Sequence, residues 1–109
     1  MALTYKVLGQ INPTANTLTT LYTVPAATQT VVSTIAVCNQ SNVATAFSLA
    51  VQPAGAAIAS KHYLNYQTLI PGNDTITLTI GLTLGNTDVI SANVGSGNIS
   101  IHAYGSEIA

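Results

Sequence analysis

Between Thr30 and Gln52 the chain reads TVVSTIAVCNQSNVATAFSLAVQ, and its side chains alternate with a period of two. In the first limb Val31, Ser33, Ile35, Val37 and Asn39 fall on one face, with Val32, Thr34, Ala36 and Cys38 on the other. In the second, Ala44, Ala46, Ser48 and Ala50 alternate with Thr45, Phe47, Leu49 and Val51. Successive side chains point to opposite faces only in an extended strand, and the β-branched content of the first limb suits a pleated surface. Asn39-Gln40-Ser41-Asn42, between the limbs, is a run of turn formers. The stretch therefore predicts two strands folded back on each other as the central hairpin of an all-β domain.

The rest of the chain keeps the same habit. Met1 to Gln10 offers a first strand with Leu3, Tyr5 and Val7 on one side, and Asn12-Pro13-Thr14-Ala15-Asn16 ends it. Thr17 to Val24 reads as a strand stopped by Pro25, which has no amide hydrogen for a ladder. Pro53 to Ala57 is a second break, and Ile58 to Lys61 fits one helical turn or a loop. His62 to Ile70 reads as a strand, and Pro71-Gly72-Asn73-Asp74 as the clearest turn. Thr75 to Leu82 places Ile76, Leu78, Ile80 and Leu82 on one face. Val89 to Val94 and Ile99 to Tyr104 close the pattern around a Gly95-Ser96-Gly97-Asn98 hairpin turn, leaving Gly105 to Ala109 as a tail.

Seven or eight short antiparallel strands, with turns about every 8 to 12 residues, predict a single two-sheet sandwich over residues 1–109. Strand patterning does not separate jelly-roll from Ig-like connections. Residues 1–20 read as an attachment segment or an edge strand.

Composition narrows the function classes. Among 109 residues 5% are charged, with a net charge of −1, while 48% are hydrophobic. This balance fits a Thr-rich β-protein with neutral outer faces or, as the sharper expectation, a chain whose surface is covered by neighbouring subunits, since charge is depleted where partners meet. Lys6 and Lys61 are too few and too far apart to track a phosphate backbone, which argues against a nucleic-acid partner. No apolar run reaches the roughly 18 residues of a membrane span. The N-terminus lacks the apolar core of a signal peptide, so synthesis in a cytoplasm is expected. Cys38 is the sole cysteine and cannot form an internal disulfide. The sequons at Asn39, Asn73 and Asn98 read as chance matches in an Asn- and Thr-rich chain.

The residues able to do chemistry are scattered. Asp74 and Asp88 sit in predicted turns, where a carboxylate binds nearby backbone amides, and Glu107 lies in the tail, solvated or paired with a neighbour's lysine. His62 and His102 fall on separate strands without further ligands at metal-binding spacing. Cys38 reads as a buried small hydrophobe. No serine has the surroundings of a nucleophile elbow, and Gly95-Ser96-Gly97 is too short to cradle phosphate. Tyr5, Tyr22, Tyr63, Tyr66 and Tyr104 suit core or interface positions, with a sugar-stacking patch as the alternative. The expectation is a non-enzymatic protein without catalytic, cofactor-binding or metal residues.

From Leu21 onward the chain resembles a family of small virion structural proteins of tailed phages, including phages of cyanobacteria. The resemblance rests on Leu21-Tyr22-Thr23-Val24-Pro25, Val31 to Asn39 with Ser41, Gly55, and His62-Tyr63. It continues through Pro71 to Thr75, Gly81-Leu82-Thr83-Leu84, Asp88-Val89-Ile90 and Gly105-Ser106-Glu107-Ile108. It implies a β-fold particle component located in the virion. The expected role is a capsid cement or decoration protein that binds the major capsid protein as a small homo-oligomer, a homotrimer by expectation. The alternative is a tail-fibre or baseplate module, contacting tail proteins and binding a host surface glycan.

Overall fold

The computed structural model describes residues 3–109. Nine strands follow in order: β1 (Leu3–Ile11), β2 (Thr19–Thr23), β3 (Gln29–Asn39), β4 (Thr45–Gln52), β5 (Tyr63–Ile70), β6 (Thr75–Leu78), β7 (Leu82–Leu84), β8 (Val89–Val94) and β9 (Ile99–Ile108). Two single 3-10 turns, Pro53–Gly55 and Ser60–His62, lie between β4 and β5. The strands form two antiparallel sheets. Sheet A runs β1-β9-β3-β6, with β7 also on β3, and sheet B runs β2-β8-β4-β5.

The pairing is nested: β1 with β9, β2 with β8, β3 with β6 and β7, β4 with β5. With β6 and β7 counted as one interrupted strand, this is a long hairpin wound up into two sheets, the jelly-roll connection that strand patterning left open. Winding sends almost every connection from one sheet to the other.

This corrects the expected central hairpin. β3 belongs to sheet A and β4 to sheet B, so the two limbs face each other across the core without sharing a ladder. The Gly95–Asn98 turn likewise carries β8 of sheet B into β9 of sheet A. A hairpin and an inter-sheet arch place the same demand on sequence, one apolar face per strand, so alternation cannot distinguish them.

Asn39 makes the arch. Its side chain is buried, and its Nδ2 donates to the carbonyls of Val43 at 2.8 Å, Ile70 at 3.2 Å and Pro71 at 3.3 Å. Its Oδ1 accepts from the amide and hydroxyl of Ser41 at 3.0 and 2.9 Å. One amide thus ties the β3–β4 arch to the β5–β6 connection and satisfies the buried Ile70 carbonyl.

Three other expectations change. Ser33 is bulged against β9, between Val32 paired with Gly105 and Thr34 paired with Tyr104. The extra residue flips the inward parity, so Thr30 and Val32 are buried before the bulge, and Ile35, Val37 and Asn39 after it. Val31, expected to share a face with Ile35, points out. The Thr75–Leu82 strand is broken at Thr79–Gly81, where Gly81 takes φ +58 and Ile80 is exposed. Gly105 to Ile108 is no tail: it continues β9 between β1 and β3, and a Cβ at Gly105 would collide with the Val31 carbonyl.

The core lies between Val32, Ile35, Val37, Ile99, Ile101 and Ala103 of sheet A and Phe47, Leu49, Ile90, Ala92 and Val94 of sheet B. Leu21, Val24, Ile70 and Leu84 close it. The Thr45-Phe47-Leu49-Val51 face is the inward face of β4, as the alternation predicts.

Candidate functional site

β1 is the edge of sheet A, and its first half is uncovered. Leu3, Tyr5 and Val7 share the outer face and are 52%, 79% and 47% exposed. Register places Tyr5 beside Ser106 and Val31, and Val7 beside Tyr104, so the apolar strip spans three strands. A shallow groove of about 550 Å³ runs along it, lined by Tyr5, Val7, Val31, Ser33, Tyr104 and Gly105 among others. Alternation puts Leu3, Tyr5 and Val7 on one side; that no layer covers them is a tertiary fact.

A polar clasp lies on the inward side of the same strands. Lys6 Nζ is 2.9 Å from Glu107 Oε1. The Tyr22 hydroxyl, reaching across from sheet B, donates to Glu107 Oε2 at 2.5 Å and shares a 2.8 Å bond with the Thr30 hydroxyl. With the Tyr22 proton committed to the carboxylate, Thr30 is the donor in that second bond. Burial, reinforced by the hydrogen bond to Glu107, pushes the Tyr22 phenol up to about 12. The same bond, followed by the one from Lys6, holds the Glu107 carboxyl below its ordinary value. Glu107, expected to be solvated or paired with a neighbour, is satisfied within its own chain, its side chain 14% exposed.

A second surface lies on sheet B. Tyr63 and Tyr66 of β5 meet edge to face, with ring centroids 5.0 Å apart and planes at 77°. Tyr66 is exposed. On one side the pair borders a groove of about 450 Å³ with Ile58, Ala59 and Ser60. On the other lies a groove of about 210 Å³ with Asn16, Gln67 and Asn93. The five tyrosines therefore do not form one patch: Tyr22 is in the core, Tyr5 and Tyr104 lie on sheet A, and Tyr63 and Tyr66 on sheet B.

The remaining residues singled out in the sequence are held apart. Asp88 binds the amides of Ala54 at 2.8 Å and Gly85 at 2.9 Å, and Asp74 binds the amide of Thr75 at 2.8 Å, as carboxylates in turns do. His62 is buried in the 3-10 turn before β5, where its Nδ1 accepts from the Ala59 amide at 3.0 Å. His102 is on the outer face of sheet A, its Nδ1 3.2 Å from Gln10 Nε2 and 2.9 Å from the Tyr104 hydroxyl. Cys38, expected to be buried, is half-buried on the outer face between Ser100 and Thr75, because it alternates with the inward-facing Val37 and Asn39. Among the described residues no group of three or more His, Cys, Asp or Glu side chains is placed to hold a metal ion. Among the described residues no helix is long and apolar enough to cross a membrane.

No protein-family model, no curated protein and no solved structure matches this chain.

Proposed function

We propose that the protein is a non-enzymatic structural component of a phage virion, a cement or decoration protein bound to the outside of the capsid shell. The observation that carries this reading is the uncovered strip of Leu3, Tyr5, Val7 and Val31 on a chain with 5% charged residues. Contiguous exposed apolar surface on a small soluble domain marks an interaction site. The resemblance to small virion proteins supplies the partner, the major capsid protein. A jelly-roll is also in use among viral capsid domains, which is a supporting analogy of fold alone.

The mechanism is thermodynamic. A ligand that binds only the assembled shell stabilises it by mass action, and repeated contacts over the lattice add avidity. Quantitative mass spectrometry of purified particles tests the reading. Copies in proportion to the shell subunit are expected; about a dozen or fewer per particle, the stoichiometry of a single tail or portal ring, overturns it.

One observation favours a second reading, a tail-fibre or baseplate module for a host glycan. The Tyr63–Tyr66 pair, flanked by Asn16, Gln67 and Asn93, combines an aromatic platform with amides suited to sugar hydroxyls. A glycan array probed with the intact chain and with Tyr66→Ala is its test. Binding lost in the variant supports it, and silence across bacterial envelope sugars removes it.

A further inference from the structure

We propose that β1 is a self-pairing strand: two copies of the chain join β1 to β1 antiparallel, about a two-fold axis through Tyr5, and sheet A continues unbroken across the dimer. This takes up the self-association expected from the charge-poor composition and is independent of particle binding.

Four sheet edges compete for such a role. The β6–β7 edge is interrupted at Thr79–Gly81. β2 is five residues long and bulged between Thr20 and Tyr22. β5 carries two register shifts against β4 and a positive φ of 50 at Gln67. β1 pairs without a shift from Leu3 to Val7 before its single irregularity between Val7 and Gly9. Among the described residues no strand pairs with its other side. An edge that is regular, exposed and apolar is a template for another strand.

Edges of this kind are ordinarily protected by a lysine, and β1 has Lys6. Here that charge is neutralised, because its ammonium lies 2.9 Å from Glu107 of the same chain. Joining two copies therefore sets no net charge against another along this edge.

Symmetry then fixes the register. A continuous sheet with both outer faces on one side requires facing residues of equal parity, so the axis must pass through a residue. An axis at Lys6 engages only Tyr5 to Val7 of the described regular residues. An axis at Thr4 engages only Leu3 to Tyr5 of the described regular residues. An axis at Tyr5 engages all five: Tyr5 faces its symmetry mate, Leu3 faces Val7 and Thr4 faces Lys6. The outer-face strip doubles to Leu3, Tyr5 and Val7 from each copy, with an aromatic cross-strand pair at its centre. The contact is two-fold, in place of the three-fold ring expected from the sequence.

Light scattering on the intact chain at micromolar concentration should give about 22 kDa, twice the 11.2 kDa of one chain. In a Cys38→Ser background, Tyr5→Cys should form a covalent dimer under mild oxidant, because directly facing Cα atoms at about 4.5–5.5 Å fall within disulfide range. Thr4→Cys in the same background should not, since each Thr4 faces Lys6. Tyr5→Lys should weaken dimerisation by about tenfold or more, while the variant still unfolds cooperatively with a Tm that no longer rises with protein concentration. A monomer at every concentration, a trimer, equal cross-linking at positions 4 and 5, or a dimer indifferent to Tyr5→Lys overturns the proposal. Any of these leaves the copy-number test of particle binding intact.

Discussion

The phenol of Tyr22, on β2 of one sheet, gives its hydrogen to the carboxylate of Glu107, on β9 of the other. Lys6 of β1 neutralises the same carboxylate, and Thr30 of β3 completes the phenol's bonding. Four strands from two sheets thus meet in one chain of polar contacts beside the apolar core. Such networks hold elements in one arrangement because each member, left alone, pays the cost of its own desolvation.

Tyr22→Phe leaves the Glu107 carboxylate and the Thr30 hydroxyl without a shared partner. It should lower unfolding free energy by about 1–3 kcal/mol in urea titration. Adding Glu107→Gln should cost less than the sum of the two single changes, since the pair acts as a unit. Strict additivity would show that the clasp is not coupled.

Stability should fall in strong alkali. The Tyr22 phenol is raised from 10.0 to about 12 in the folded chain, so the fold binds that proton more tightly than the unfolded chain does. Its contribution is complete below pH 10.0 and is lost as pH rises toward about 12. Thermal melts across this window should decline, and Tyr22→Phe should remove that share of the decline. Glu107 has the opposite sign. Its lowered carboxyl contributes above the ordinary 4.5 and loses that contribution as pH falls through the folded value.

Phe47 is 1% exposed at the centre of the core. Phe47→Ala should cost about 3–5 kcal/mol by chemical denaturation. A loss under about 1 kcal/mol would mean that the inward face of β4 is assigned to the wrong side.

Asn39→Ala removes the donor serving three carbonyls and the acceptor serving Ser41. A cost of about 1–3 kcal/mol or more is expected, because the Ile70 carbonyl bond is buried. Hydrogen exchange should report the loss first at the β3–β4 arch and the β5–β6 connection. Uniform loss across both sheets would assign Asn39 a global role.

Much of the strand content is legible residue by residue. Val89 to Val94 is a strand at the expected bounds, and the inward set of β4 follows from alternation. Pro71 to Asp74 turns where proline and glycine say it should. The limits of legibility appear at Ser33, where one bulged residue reverses which of Val31 and Val32 is buried. A bulge leaves the composition of a strand unchanged, so no pattern announces it. The clasp is equally silent in sequence, since Lys6, Tyr22 and Glu107 are brought together by pairing between the first strand and the last.

By itself the sequence determined that this chain is all-β, where most strands begin and end, and that it carries almost no charge. These are local properties, set by side-chain alternation and turn chemistry. The tertiary structure alone decided the jelly-roll winding, the arch at Asn39 in place of a hairpin, and the exposure of Leu3, Tyr5 and Val7. The reason is physical. Backbone hydrogen bonds are identical for every strand pair, so partner choice is written in how two sheets close over one core, and an apolar strand face left outside that closure looks, residue by residue, like one within it.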